Sequence, residues 1–209
     1  MSHLHPTAEL AERALLPDDP GQALALTRVL YGETPRMFNH HRGLWGYTGV
    51  ALDGAALTVQ STGIGGPSAA IVVAELHRLG LRRAGRIGRA WALDGALRAG
   101  ELVAATAVLA RDGTSRALGA GERIEPDPAL TAALDGDRSG LLASTDIEHL
   151  DDAAGALAFD LESAAVLAAA ARAGIPAACL VAIEGAVEPD DIAARLGRAA
   201  LAALAPVRA

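Results

Sequence analysis

The chain contains no lysine, and all 18 of its basic residues are arginine. With so heavy a load of alanine and glycine this reflects coding bias, so an isolated surface arginine carries little weight as a functional signal. Aromatic residues make up only 3% of a chain that is 51% hydrophobic, so the core of its 209 residues must be built from Ala, Leu and Val. The single cysteine, Cys179, lies in an apolar strand-like run, which excludes a disulfide framework and a cysteine-based metal site. Six scattered histidines show no metal-ligand spacing, so no metal site is expected. There is no apolar run of transmembrane length and no basic-then-apolar leader. Membrane insertion and secretion are therefore disfavoured, and a cytoplasmic location is expected. Excess positive charge is missing too: a net charge of -7 and a pI near 5.3 argue against a nucleic-acid binder and leave a small-molecule ligand open.

What the chain does have is a glycine turn. Leu57 to Gln60 is a β-type run, Ser61 to Gly66 places Gly63, Gly65 and Gly66 in six positions, and Pro67-Ser68 opens an amphipathic helix running to Leu79. Such glycines permit positive φ and close backbone approach, and amides exposed at a helix start favour an anion such as phosphate or carboxylate. The spacing G-x-G-G is not the dinucleotide fingerprint, and no lysine follows to make a Walker loop. On its own the turn is equally compatible with ordinary turn chemistry.

Around it the remaining elements read in order. Met1 to Pro6 is a loose start. Pro17 to Gly21 is a turn ahead of a helix over 22–30, and Tyr31 to Asn39 is a connector. Val50 to Leu52 and the Leu57 strand flank an Asp53-Gly54 hairpin. Further strands are expected over 84–91, 101–109, 139–144, 155–159 and 177–183, with an acidic loop from Asp146 to Asp152. Residues 116–138 are polar with one short helix over 127–134, and closing helices are expected up to Ala173 and over 190–205. The pattern is that of a single α/β domain over 1–209, a three-layer α/β/α arrangement around a mixed central sheet.

Two charged residues stand out against this background. Arg86 interrupts an apolar strand and needs an anionic partner, either a protein carboxylate or a ligand phosphate. Glu162 stands in the first turn of a helix, where a carboxylate commonly caps or complements the dipole.

Taken together, Ser61 to Ser68 (S-T-G-I-G-G-P-S), Arg86-Ile87-Gly88-Arg89 (against R-I-G-T) and Leu161-Glu162-Ser163 (against M-E-S) resemble the nucleoside phosphorylase family, in particular its uridine phosphorylase branch. Weaker echoes at Leu16 to Pro20, Arg42-Gly43 and Arg111 to Gly113 extend the similarity over nearly the whole chain. The resemblance implies a phosphorylase-like fold and a pentosyltransferase that needs no cofactor, with phosphate as co-substrate. Phosphate would attack the anomeric carbon of a uridine-like nucleoside, releasing free base and pentose 1-phosphate. It implies Arg86, Gly63 and a neighbouring subunit's Arg42 at phosphate, with Arg89 a further candidate there. Glu162, Leu161 and a neighbour's His3 or His5 would meet ribose, Trp91 and Phe159 are the candidates for the base, and Arg86 and Glu184 would stabilise or protonate during reaction. A homo-oligomer, dimer or hexamer, follows from the shared sites.

The departures fall on the chemistry. Asp18 replaces the glycine of L-P-G-D-P, Gln22 an arginine, Arg89 the threonine of R-I-G-T, and Trp91 a glycine. Arg89 either compensates for Gln22, pairing with Asp18 when phosphate is absent, or crowds the site. Trp91 either stacks on a base or fills the sugar pocket. Two alternatives to phosphorolysis follow: a catalytically impaired family member that binds a nucleoside or serves as a structural subunit, and a nucleoside hydrolase.

Overall fold

Strand β5 (Arg83–Ala92) is the hub of the fold. In the computed structural model, which describes residues 2–150 and 154–205, it follows β1 (Arg13–Leu16), α1 (Pro20–Leu30), β2 (Arg36–Asn39), β3 (Gly46–Val50), β4 (Ala56–Gln60) and α2 (Gly65–Arg78). After it come β6 (Leu102–Ala110), α3 (Gly113–Ala117), β7 (Arg123–Ile124), α4 (Pro128–Ala132), β8 (Arg138–Ser144) and β9 (Ala158–Asp160). The chain continues through α5 (Ser163–Ala173), β10 (Ala177–Ile183) and α6 (Pro189–Leu201). β5 pairs in parallel with β1 and β10, and its last residues pair antiparallel with β9. β10 runs antiparallel to β6, which continues in parallel through β8 to β9, so this part of the sheet closes on itself around β5. β1 leads outward in parallel to β4, and β3 and β2 add an antiparallel edge.

Alternation along the strands makes the three layers. In β10, Ala177, Cys179, Val181 and Ile183 pack with Val72, Val73 and Leu76 of α2 and Val166 and Ala170 of α5. The interleaved Ala178, Leu180 and Ala182 pack on the opposite face with Leu26 of α1 and Ile192 and Leu196 of α6. A strand buried on both faces and rich in small and β-branched residues suits this central place. Local signals fix the helix ends: Asp19 accepts from the Gln22 amide at 2.7 Å to cap α1, and Gly174 at φ +69° stops α5.

The mixed α/β architecture is as expected, with local corrections. The start is not loose: the amides of His3 and Leu4 and the His3 ring bond the Glu75 carboxylate, the His5 amide bonds Asn39, and Leu4 is buried. The supposed connector holds edge strand β2, and its partner β3 runs over 46–50 rather than 50–52. The hairpin joining β3 to β4 is present, with Asp53 held by Arg13 at 2.5 and 2.6 Å. Residues 116–138 also contain strand β7. β9 spans 158–160 rather than 155–159, and the last two residues of the expected acidic loop over 146–152, Asp151 and Asp152, lie outside the described residues. Among the described residues no helix is long and apolar enough to cross a membrane.

Candidate active site

Two turns are zipped together at the carboxyl ends of β1 and β4. Thr62 and Gly63 donate their amides to the carbonyls of Pro17 and Asp18 at 2.8 and 3.0 Å. Gly63 and Gly65 have φ of +74° and +81°, and a Cβ on Gly63 would lie 2.7 Å from the Ser68 hydroxyl, so the turn requires glycine there. Helix α2 begins at Gly65, two residues before the expected Pro67, and its N-cap residue Ile64 provides no side-chain cap. The cap comes from far along the sequence: the Gly65 amide donates to Glu162 Oε1 at 2.7 Å. The anion that the glycine turn favours is a protein carboxylate in this structure.

The other oxygen of Glu162 accepts from Arg86 at 2.9 Å. Arg86 has no exposed side-chain surface and also reaches Asp18 Oδ1 at 2.8 Å, Asp160 Oδ2 at 3.3 Å and the Ile87 carbonyl. One guanidinium therefore stands among three carboxylates, while its Nε is buried without a partner. Gly88 makes room for it. Two residues along β5 and on the same face, a Cβ there would fall 2.1 Å from an Arg86 terminal nitrogen, so the R-I-G spacing is a packing requirement.

Burial works against the charge of Arg86, but Asp18, Glu162 and Asp160 outweigh it and hold its pKa above the ordinary arginine value. Glu162 shows the reverse balance. Burial, helped by Asp160 and Asp18, outweighs the pull of Arg86 and leaves its carboxyl raised to about 7. Exposure separates the three carboxylates, since Asp160 and Glu162 are 1% and 6% exposed and Asp18 is 30% exposed.

Glu162 does cap a helix, though α2 rather than its own, and it lies beside Arg86. The cap of α5 is Asp160, which sequence reasoning missed. Its carboxylate accepts from the Ser163 amide at 3.1 Å and from the hydroxyls of Ser163 and Ser144 at 2.6 and 2.5 Å. The spacing of Asp160 three residues before Ser163, at the end of an apolar strand, is the signal that could have found it.

The remaining candidates fall into two groups. Arg89 does not pair with Asp18, as expected for a compensating swap, but with Glu184 at 3.1 Å in a partly exposed pair. An odd step along β5 separates Arg89 from Arg86, which puts the two on opposite faces of the strand. Arg89 lines a cleft of 460 Å³ with Asp18, Asp19, Gln22 and Asp190. Trp91 is committed to Phe159, its cross-strand partner, with ring centroids 5.1 Å apart and 25° between planes. On a separate outer patch the His5 ring stacks on His41 at 3.8 Å, next to exposed Arg42 at φ +59°, an uncommon backbone for a non-glycine residue. The structure thus brings Arg86, Glu162 and the glycine turn together, Arg89 with Glu184, Trp91 with Phe159, and His5 beside the Arg42 turn.

This is a mixed α/β protein whose glycine turn, buried arginine and carboxylate form one polar centre at strand ends, where ligands of open α/β sheets gather. Comparison with known proteins gives its class. The phosphorylase superfamily pattern matches residues 12–205, and the chain belongs to that family. It is 34% identical over 197 residues to a guanosine phosphorylase of Halorubrum lacusprofundi, covering 85% of this chain and 79% of that protein. It is 36% identical over 105 residues to the uridine phosphorylase of Salmonella typhimurium, covering 50% of this chain and 40% of that protein. With a DeoD-type purine nucleoside phosphorylase of Clostridium perfringens the figures are 38% over 98 residues, 46% of this chain and 41% of the relative. The matched regions thus span less than half the length of these uridine and purine relatives.

Proposed function

We propose that the chain is a nucleoside phosphorylase that cleaves an N-glycosidic bond. A phosphate oxygen bonds the anomeric carbon while the carbon–nitrogen bond breaks; the base keeps the bonding pair and takes up a proton. The observation that carries this reading is the Arg86–Glu162 pair on the glycine turn. It sets a cation beside a carboxylate within one polar centre, in a chain matched to the family along nearly its whole length. Arg86 takes the phosphate and Glu162, ionised, accepts from the ribose hydroxyls, with Leu161 beside it at the sugar. Charge held in fixed positions in a water-poor site stabilises the oxocarbenium-like transition state without a covalent nucleophile. Trp91 and Phe159 form the aromatic wall for the base, a filled wall rather than an open slot.

Arg42 and His5 belong to a neighbouring copy's site in this reading, supported by their shared outer patch and by the strained Arg42 backbone. Glu184 receives no catalytic part, because it is paired with Arg89 and partly exposed. The relatives are named for guanosine, uridine and purine nucleosides, so uridine and guanosine are the first substrates to test.

A second reading, cleavage by water, is favoured by one observation: Asp18 already sits on Arg86. Base release from uridine, guanosine and adenosine, measured by chromatography with and without phosphate, separates the two. Phosphate-dependent release lost in Glu162→Gln supports phosphorolysis, and equal release in the absence of phosphate moves the protein to the hydrolytic reading. No release from any nucleoside under either condition would sink both.

A further inference from the structure

Three features of this site attract anions, and each is satisfied by the chain itself. The N-terminus of α1 is capped by Asp19, the first amide of α2 by Glu162, and the guanidinium of Arg86 by Asp18 together with two buried carboxylates. The carboxylates are not equally anchored. Asp160 accepts from Ser144, Ser163 and Arg86, and Glu162 accepts from Gly65 and Arg86. Among the described residues the Asp18 carboxylate has Arg86 as its one hydrogen-bond partner. Asp18 is also the most exposed member of the three, and it lines the 460 Å³ cleft.

From this arrangement we infer that Asp18 is the specificity-determining residue for the nucleophile: an internal carboxylate that competes with phosphate for Arg86 and keeps the site's affinity for phosphate low. The inference rests on the reading of Arg86 as the phosphate-binding residue. A phosphate held by Arg86 with Asp18 in place would add a divalent anion to a centre that already has more carboxylates than guanidinium groups. Displacing Asp18 costs its bond to Arg86, and leaving it costs like-charge repulsion at short range. Removing one partly solvated unit charge about 4 Å from a bound anion is worth about ten- to a hundredfold in affinity.

The test is calorimetric titration of inorganic phosphate into the full chain at fixed ionic strength, comparing wild type with Asp18→Asn, Asp18→Ser and Asp18→Glu. Asp18→Asn and Asp18→Ser should each bind phosphate at least about tenfold more tightly. Asp18→Glu, which keeps the charge, should remain as weak as wild type. If turnover is present, the KM for phosphate should fall in the two neutral variants while the KM for nucleoside holds. Equal phosphate affinity in wild type and both neutral variants overturns the inference, as does equal tightening in Asp18→Glu. Nucleoside cleavage by wild type is read separately, so a failed inference is distinguishable from a failed assignment of phosphorolysis.

Discussion

Gly88→Ala isolates the packing around Arg86 from its chemistry. The added Cβ would lie 2.1, 2.5 and 2.6 Å from the two terminal nitrogens and the central carbon of the guanidinium. No such contact survives without movement, and Arg86 has nowhere inexpensive to go, because its side chain has no exposed surface and is bonded to three carboxylates. If the backbone yields, the cost is that of overpacking a core, about 1–3 kcal/mol. If Arg86 yields and its buried partners are left uncompensated, the cost is about 3–5 kcal/mol. We expect about 3 kcal/mol, and with a urea slope of about 3 kcal/mol/M for a chain of this size that is about 1 M in the denaturation midpoint. Gly95→Ala is the matched control: nothing lies within 4 Å of its Cβ position, and its φ is not in the left-handed region. That control should be neutral or slightly stabilising, since alanine restricts the unfolded chain. Equal midpoints for Gly88→Ala and Gly95→Ala would refute the claim that R-I-G spacing exists to house the guanidinium.

Other perturbations test the electrostatics. Arg13, buried and bonded to Asp53 and to the Ala55, Ala56 and Leu204 carbonyls, should cost about 3–5 kcal/mol in urea denaturation when changed to Leu, because Asp53 and the carbonyls lose their donors. Arg89→Ala, which breaks the partly exposed pair with Glu184, should change stability by no more than about 1 kcal/mol in the same assay. Glu162 gives a pH signature opposite to that of an ordinary carboxylate. Its folded value of about 7 lies above the ordinary 4.5, so the folded chain binds this proton more tightly than the unfolded one. Its contribution is complete below pH 4.5 and is lost as pH rises through 7, an effect on the order of 3 kcal/mol that Glu162→Gln should remove from the stability profile. Asp53, Glu75 and Asp137, held below the ordinary range, act in the other direction, losing their contribution as pH falls. On the proposed reading, in which ionised Glu162 accepts from the ribose hydroxyls, nucleoside cleavage should rise through neutral pH over the same interval in which this stability is lost.

The layers were legible because alternation and helix periodicity are local signals. Residues 177–183 are apolar at every position and could only be a central strand; Pro20, Pro189 and Gly174 mark helix ends by their own backbone preferences. What could not be read was long-range. Edge strand β2 has two exposed residues in four and no alternation to mark it, and it is a strand because β3 lies beside it. The anchored N-terminus depends on Glu75, 72 residues beyond His3, a distance over which no sequence period operates. Arg86 was correctly read as requiring an anion, but sequence could not say whether the anion was a ligand or a protein group, and the structure supplies three protein carboxylates.

That outcome bears on how this chain differs from a plain anion-binding α/β protein. A glycine turn at a helix start and a buried arginine are each costly to leave empty, because an unpartnered amide or guanidinium in a dry site forfeits its hydration. A protein that waits for phosphate therefore needs either water or an internal stand-in. Here Glu162 and Asp18 serve as the stand-ins, and they differ in kind. Glu162 is buried and shared between Gly65 and Arg86, so its loss would uncap α2 and take a buried partner from the guanidinium. Asp18 is 30% exposed, singly held and beside the cleft, so its loss would leave the fold standing and the guanidinium free on one side. On the inference drawn for Asp18, stability and ligand choice fall to different carboxylates of one cluster, and substitution at Asp18 is the change that can alter the second without dismantling the first.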